Sequence, residues 1–401
     1  MRLIYFPNMV FNENGLDNRK LILFHGPNFR ARYIVNAIKK CNAVTNIIFL
    51  SQAPGTAGGI QHQIERMYDG LHFKEVYIGY FGKGIIQWIT SVVSTTLWFL
   101  KNTNRQDIVV VGNFLPRTAI PIIFSKFFRD YNLIVQFEEL YGYMDFPYQH
   151  IIWLLERFAL KNAIGFITPS HYIADIIKKY RGTDVRIVMS YGYPNISRSG
   201  PFVQQSATRL QLIYSGNLDS ERGVLNLINM LPHVKDFADL TIMGKGPLST
   251  LIERLSQTND NLQYLGYVNE EQYLDTLSKM HVCINPTPIS SNFSKYTFPS
   301  KVVSYISNSR IVLSTPLEVI KSSPYRDIVI YYDENDPINF RKKLLDISAN
   351  LDNLTKNMQN VSSQLEKIQE QEYLQICNLI SGKIKFGVHS DKNIVLFKAS
   401  R

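Results

Sequence analysis

Cysteine is scarce in this chain: Cys41, Cys283 and Cys377 are far apart and odd in number. That excludes a disulfide framework and a metal site of the usual Cys spacing, and it suits a reducing compartment. No secretory signal opens the sequence, since Met1 to Val10 has an early Arg and no continuous apolar core. Low-complexity tracts and short-period repeats are also missing. Long uncharged runs are rare, and Gly84 to Leu100 is the one that approaches a membrane span, with 17 residues between Lys83 and Lys101. In it Ile85, Ile86, Ile89, Val92, Val93, Leu97 and Leu100 make a helical stripe, with Gln87, Ser91, Ser94 and Thr95 mostly opposite. This pattern predicts a helix that covers a sheet with its apolar side rather than a membrane-embedded segment.

What is present is an ordinary globular composition, 45% hydrophobic and 19% charged over 401 residues, long enough for two domains. The formal charge of +10 is unevenly placed: residues 1–205 hold 22 Lys and Arg against 13 Asp and Glu, a net +9, which leaves +1 for the remainder. A uniformly basic chain would suit nucleic acid, whereas one basic half suits an anionic surface or substrate. Lys126-Phe127-Phe128-Arg129 and Lys178-Lys179-Tyr180-Arg181 are candidate lipid-headgroup contacts, or else charged helix ends with their aromatics turned inward.

Short β-rich runs alternate with segments of helical length. In the first half the expected strands are Leu21–Phe24, Asn46–Leu50, Glu75–Ile78, Ile108–Val111, Leu133–Phe137, Gly165–Thr168 and Val185–Met189. Tyr191 to Thr208, rich in Gly, Pro and Ser, reads as a linker. The pattern then restarts with Leu212–Tyr214, Leu240–Met243, Leu262–Leu265, Val282–Ile284, Ile311–Leu313 and Ile328–Tyr331. Such alternation predicts two α/β domains with doubly wound parallel sheets, and ligands outside the carboxyl ends of the strands. A long polar helix over Leu354–Leu379 and a hairpin over Lys383–Lys398 are expected at the end.

Loop chemistry concentrates at the strand ends of the second half. Ser215-Gly216-Asn217 precedes Asp219-Ser220-Glu221-Arg222-Gly223; Gly216 permits close approach to backbone, and Arg222 can grip phosphate with two hydrogen bonds. Gly244-Lys245-Gly246-Pro247 and Gly266-Tyr267-Val268 are further turns, and Tyr267 can stack on a base. Phe298-Pro299-Ser300-Lys301 opens a helix with Val302, Val303 and Tyr305 on its inner side, and its free N–H groups suit an anion. In the first half, Glu138 and Glu139 stand among Tyr141 and Tyr143 at a strand's carboxyl end, where a general base would sit. His25, in His25-Gly26-Pro27-Asn28, and His171, after Thr168-Pro169-Ser170, are further candidates, and Ser170 also suits a helix N-cap.

The ordered series YSGNLDSERGV, MGKGP, YLGYVNEEQY, INPTP and FPSKVVSYISNSRIVLST resembles the nucleotide-sugar-binding half of GT-B glycosyltransferases, above all the family-4-like group of bacterial surface polysaccharide biosynthesis. FITPSHYIADIIKKY followed by VRIVMSYGYPNI looks like that family's approach to the hinge, and the likeness covers about residues 160–335. It implies two Rossmann-like domains facing across a cleft: 1–193 for the acceptor, a linker at 194–208, 209–348 for the donor, and 349–401 packing back on the body. It also implies transfer of a sugar, with retention, from a nucleotide-diphosphate sugar to a glycan or lipid-diphosphate-linked glycan. The donor would meet Gly216, Asn217, Arg222, Gly244, Tyr267, Pro299, Ser300, Lys301 and Ser304, with Glu138, Glu139 and His25 as catalytic candidates. Arg222 stands where relatives usually place a Lys, and Asn217 where Arg is common. Relatives often carry two glutamates with seven residues between them; here Tyr296 and Ser304 stand in those slots. No DxD-type cluster appears, so neither metal nor cofactor is expected. The expected location is cytoplasmic, at the inner face of a membrane, with no nucleic-acid partner. A non-catalytic GT-B partner and a sugar-nucleotide epimerase are the other readings.

Overall fold

The computed structural model describes residues 1–7, 25–54, 59–68, 70–144, 148–192, 209–291 and 293–382. The chain divides into two compact units, Met1–Ser190 with Gln371–Arg401, and Tyr191–Glu370. The expected strand Leu21–Phe24, the hairpin at 383–398 and nearly all of the linker lie outside the described residues.

The first unit is built on an eight-stranded sheet. Its strands are β1 (Arg2–Phe6), β2 (Asn46–Pro54), β3 (Gly59–Tyr68), β4 (Leu71–Tyr80), β5 (Ile108–Gly112), β6 (Asn132–Gln136), β7 (Gly165–Thr168) and β8 (Ile187–Met189). They lie in the order β3-β4-β2-β1-β5-β6-β7-β8. All pairs are parallel except β3 with β4, a bulged antiparallel pair at the edge. The central strand β1 was not among those expected. It is a buried apolar run, Leu3 to Phe6, closed by Pro7. Strand order reverses between β1 and β5, which places the crevice of a doubly wound sheet at their carboxyl ends.

Helices α1 (His25–Lys39), α2 (Gly84–Asn102), α3 (Pro116–Phe128), α4 (Gln149–Asn162) and α5 (His171–Arg181) cover this sheet. The helix predicted over Gly84–Leu100 forms as α2, but it is turned the other way. Ile85, Ile86, Ile89, Val93 and Leu97 are exposed, while Ser91 and Thr95 are buried. The inward hydroxyls cost little because each has a partner: Thr95 donates to the Ser91 carbonyl (2.8 Å) and accepts from Gln52, and Ser91 accepts from Arg117. Thr118 and Ser125 are likewise buried on α3. No described helix is long and apolar enough to cross a membrane.

The second unit carries a six-stranded, wholly parallel sheet of β9 (Leu210–Ser215), β10 (Ala238–Met243), β11 (Leu262–Tyr264), β12 (Val282–Asn285), β13 (Ile311–Ser314) and β14 (Ile330–Tyr331). The order is β11-β10-β9-β12-β13-β14, with its reversal between β9 and β12. Helices α6 (Val224–Met230), α7 (Ser249–Thr258), α8 (Glu270–Ser278), α9 (Phe293–Tyr296), α10 (Ser300–Ser307) and α11 (Glu318–Lys321) join the strands. Strands such as Val282-Cys283-Ile284-Asn285 are buried throughout, as parallel strands covered on both faces must be.

Helices α12 (Pro337–Ala349) and α13 (Leu351–Ile380) end the described chain. Asp336 caps α12 by accepting from the N–H groups of Ile338 and Asn339. From Gln371 on, α13 belongs to the first unit. There the buried carboxylate of Glu372 accepts from Tyr33 of α1 and from Ser190, each at 2.9 Å.

Helix α10 is fixed to β9 by a buried hydroxyl. The Tyr305 phenol accepts from the Ser215 backbone N–H and bonds the Ser215 hydroxyl, both at 2.9 Å. Tyr305→Phe leaves that N–H unpaired, and should lower stability to urea by about 1–3 kcal/mol. An unchanged urea midpoint would show that the bond does not hold α10 in place.

Candidate functional site

In the second unit the turns after β9, β10 and β11 lie side by side. The Gly216 N–H donates to the Met243 carbonyl, and the Gly244 N–H donates to the Gly266 carbonyl. Gly244 has φ 138°, and a Cβ there would stand 1.8 Å from the Gly216 carbonyl oxygen, so no other residue fits. Gly216 and Asn217 are exposed at the carboxyl end of β9, and Tyr267, 55% exposed, follows β11.

Lys301 reaches into this edge from the first turn of α10. Its Nζ lies 4.1 Å from the centroid of the Tyr214 ring and would be 3.6 Å from a Cβ at Gly216. Lys301 as a residue is half-buried, but its ammonium is closed to solvent and has no hydrogen-bond partner. Burial holds its pKa well below the ordinary lysine range, the nearby Arg222 guanidinium pushes the same way, and Asp219 opposes. Arg222 is held by its own turn: its N–H donates to Asp219 (3.0 Å), and its Nε stands 3.9 Å from the same carboxylate. Both cations thus lie near the Asp219 carboxylate, beside Tyr214. Pro299 is the N-cap residue of α10, not its first helical residue, and Ser300 is exposed at the tip, so the free N–H groups of that turn add to the positive end.

Ser304 lies one turn further along α10, where its hydroxyl bonds the Tyr273 phenol at 2.9 Å. Glu270 and Glu271 begin α8 behind an Asn269–Gln272 capping box. The structure therefore brings Gly216, Asn217, Arg222, Gly244 and Lys301 together. Tyr267 and Ser304 stand on neighbouring elements. Tyr214, Asp219 and Tyr273 were not singled out from the sequence; Asp219 lies within the same turn motif, and the tyrosines carried no local signal.

In the first unit, Glu138 and Glu139 follow β6. Asn113, at φ 35° after β5, accepts from both of their backbone N–H groups, at 2.9 and 3.2 Å. Gln136 donates to Glu138 and accepts from the Tyr5 phenol, which ties β1 to β6. The Arg30 guanidinium of α1 stands 3.7 Å from Glu138. Burial raises the Glu138 pKa, Arg30 opposes, and Glu139 adds to the rise. Glu139 accepts from the Tyr141 phenol. The short turn Tyr141–Tyr143 is pinned by Glu156 of α4, whose carboxylate accepts from the N–H groups of Tyr141 and Gly142, each at 3.0 Å. Burial pushes Glu156 up to about 8 despite those donors. A Cβ at Gly142 would stand 2.9 Å from the Trp153 backbone Cα, so the turn also requires glycine. Arg30, Gln136 and Asn113 are further parts of this cluster that no sequence motif announced.

The strand expected before His25 lies outside the described residues. His25 is the first residue of α1, and its side chain lies outside the described residues. His171 is the first residue of α5, after Ser170, whose hydroxyl does not cap the helix.

No model of a protein family matches the sequence, and no curated protein matches it. Among solved structures the chain is similar to sucrose-phosphate synthase from Thermosynechococcus elongatus, with 12% identity, a TM-score of 0.68, and cover of 96% of this chain and 99% of that one. It is also similar to Anabaena HepE in complex with UDP, with 10% identity, a TM-score of 0.62, and cover of 96% and 99%. The lipopolysaccharide outer core galactosyltransferase WaaB, in its apo form, aligns with 14% identity, a TM-score of 0.56, and cover of 96% and 100%. These likenesses show the fold, that of GT-B enzymes with two Rossmann-like domains.

The state of Lys301 has a consequence for stability. A lysine whose pKa falls on folding binds fewer protons in the folded state than in the unfolded one. Stability should therefore rise with pH as the unfolded lysine approaches its own titration. Lys301→Met should remove that slope and raise stability near neutral pH by about 1–3 kcal/mol, because it removes a buried charge with no hydrogen-bond partner. A lower urea midpoint in the variant would mean that the ammonium is well satisfied where it lies.

Proposed function

We propose that the protein is a glycosyltransferase that moves a sugar from a nucleotide-diphosphate sugar to a glycan or lipid-diphosphate-linked glycan. The observation that carries this reading is the buried Lys301 ammonium, which has no hydrogen-bond partner, beside the Gly216 turn and near Arg222. A diphosphate supplies the partner that Lys301 lacks. As the bond from the sugar's anomeric carbon to phosphate oxygen breaks, charge collects on the leaving nucleoside diphosphate, and fixed cations stabilise it without a metal. Gly216, Asn217 and Gly244 let the backbone approach the phosphates, Pro299 and Ser300 present the tip of α10, and Tyr267 stacks on the base.

The sugar-accepting hydroxyl is assigned to the first unit, beside Glu138 and Glu139. A carboxylate there can accept a hydrogen bond from that hydroxyl and hold it in place. Retention of anomeric configuration, the polysaccharide pathway, and a location at the inner face of a membrane rest on the resemblance of the second-unit motifs and on the basic first half. The names of the similar structures support the same reading, since one is a galactosyltransferase and another holds UDP. The domains are assigned accordingly, acceptor to 1–193 and donor to 209–348.

Arg222→Ala and Lys301→Ala should each lower transfer by about 100-fold or more while the fold survives, a loss typical of removing one group that stabilises transition-state charge. Radiolabel transfer from a panel of nucleotide sugars measures this, and titration calorimetry with UDP should show the matching loss of affinity. Wild-type transfer in both variants would overturn the clamp. A chain that binds no nucleotide sugar or nucleoside diphosphate would instead be a non-catalytic partner.

A further inference from the structure

The outward turn of α2 leaves an apolar face that the fold does not use. Ile85, Ile89, Val93 and Leu97 recur at four-residue intervals, so they line one side of the helix, and all are about half exposed or more. Helix α3 packs against α2 and α4, and carries Phe124, Phe127 and Phe128 at 57, 74 and 73% exposure. Arg129, after α3, donates to the Leu100 carbonyl of α2 (2.7 Å), which sets the exposed phenylalanines beside the end of α2 that carries Leu97. Soluble proteins rarely expose connected apolar side chains on this scale without an occupant.

Charge identifies the occupant. Between Lys83 and Asp130 the sequence holds six Lys and Arg and two acids: Asp107, buried against Arg2, and Asp130, exposed and 3.3 and 3.8 Å from Lys126 and Arg105. Lys83, Lys101, Arg105 and Arg129 are exposed at helix ends around the apolar residues. A second copy would bring like charge to this face, whereas a sheet of anionic headgroups over acyl chains matches both its cationic and its apolar parts. Since no described helix can span a bilayer, α2 would lie in the boundary plane.

We infer that the α2–α3 face is a monotopic docking surface for an anionic lipid membrane, with Ile85, Ile89, Val93, Leu97 and the α3 phenylalanines entering the acyl boundary. This rests on the reading of a lipid-linked acceptor and names the surface that meets the lipid. Phe127 and Phe128 therefore face outward, and not inward as at an ordinary helix end.

The test is flotation of the full chain with vesicles of phosphatidylcholine alone and of phosphatidylcholine mixed with phosphatidylglycerol. The chain should float with the mixed vesicles and hardly with the neutral ones, and Trp88 on α2 should shift its emission to the blue. The double change Ile89→Glu with Leu97→Glu should weaken binding by about tenfold or more, because both replace apolar groups at the boundary with charges. It should leave UDP affinity and transfer to a water-soluble acceptor unchanged. Flotation of the double variant like wild type, equal flotation on neutral vesicles, or no flotation at all would overturn the inference. So would a wild-type dimer in gel filtration that the variant loses, since a second copy would then cover the face. Failure of the transferase reading is separate, as it appears as lost sugar transfer whatever the vesicles show.

Discussion

An ammonium group closed to water and without a hydrogen-bond acceptor works against folding, and Lys301 holds one over the Tyr214 ring. The aromatic face recovers part of the lost solvation, Asp219 adds a distant attraction, and Arg222 works against both. Tyr305 fixes α10 to β9, which sets the height at which Lys301 reaches the sheet edge. Gly216 leaves the space beside Lys301 free of a side chain, and Gly244 lets the turn after β10 close against the Gly216 carbonyl. A cost that folding does not recover is what a site prepared for an anion should display.

The two units solve the same problem with opposite charges. Each places its polar cluster at carboxyl strand ends at or beside the reversal of strand order, after β9 in one and after β5 and β6 in the other. The second unit gathers cations around aromatic and glycine surfaces. The first gathers carboxylates, Glu138 and Glu139, held by Asn113, Gln136 and Arg30. Glu156 extends this order outward by fixing the turn that follows.

Much of this was legible in the sequence because buried parallel strands announce themselves as short apolar runs. Gly165–Thr168 and Val282–Ile284 stand within a residue of where they were expected, and the glycine turns after β9 and β10 follow directly. Where the fold departed, the reasons are physical. Strand β3 is a polar edge, GIQHQIERMY, which pairs on one side only and lacks a buried strand's signature. Strand β1 carries that signature too, in Leu3-Ile4-Tyr5-Phe6, but over only four residues between Arg2 and Pro7. Helix α2 shows that periodicity fixes which residues share a face and not what that face meets. The contact of Lys301 with Tyr214, and that of Arg30 with Glu138, join distant segments and depend on topology that no local pattern carries.

The central claim concerns the protonation of one side chain, so the most direct measurement is the titration of the Lys301 ammonium by NMR, with and without saturating UDP. The account predicts a pKa well below that of ordinary lysines in the free protein, and a large upward shift when the diphosphate arrives. An ordinary lysine titration in the free protein, or one that UDP leaves unmoved, would contradict it.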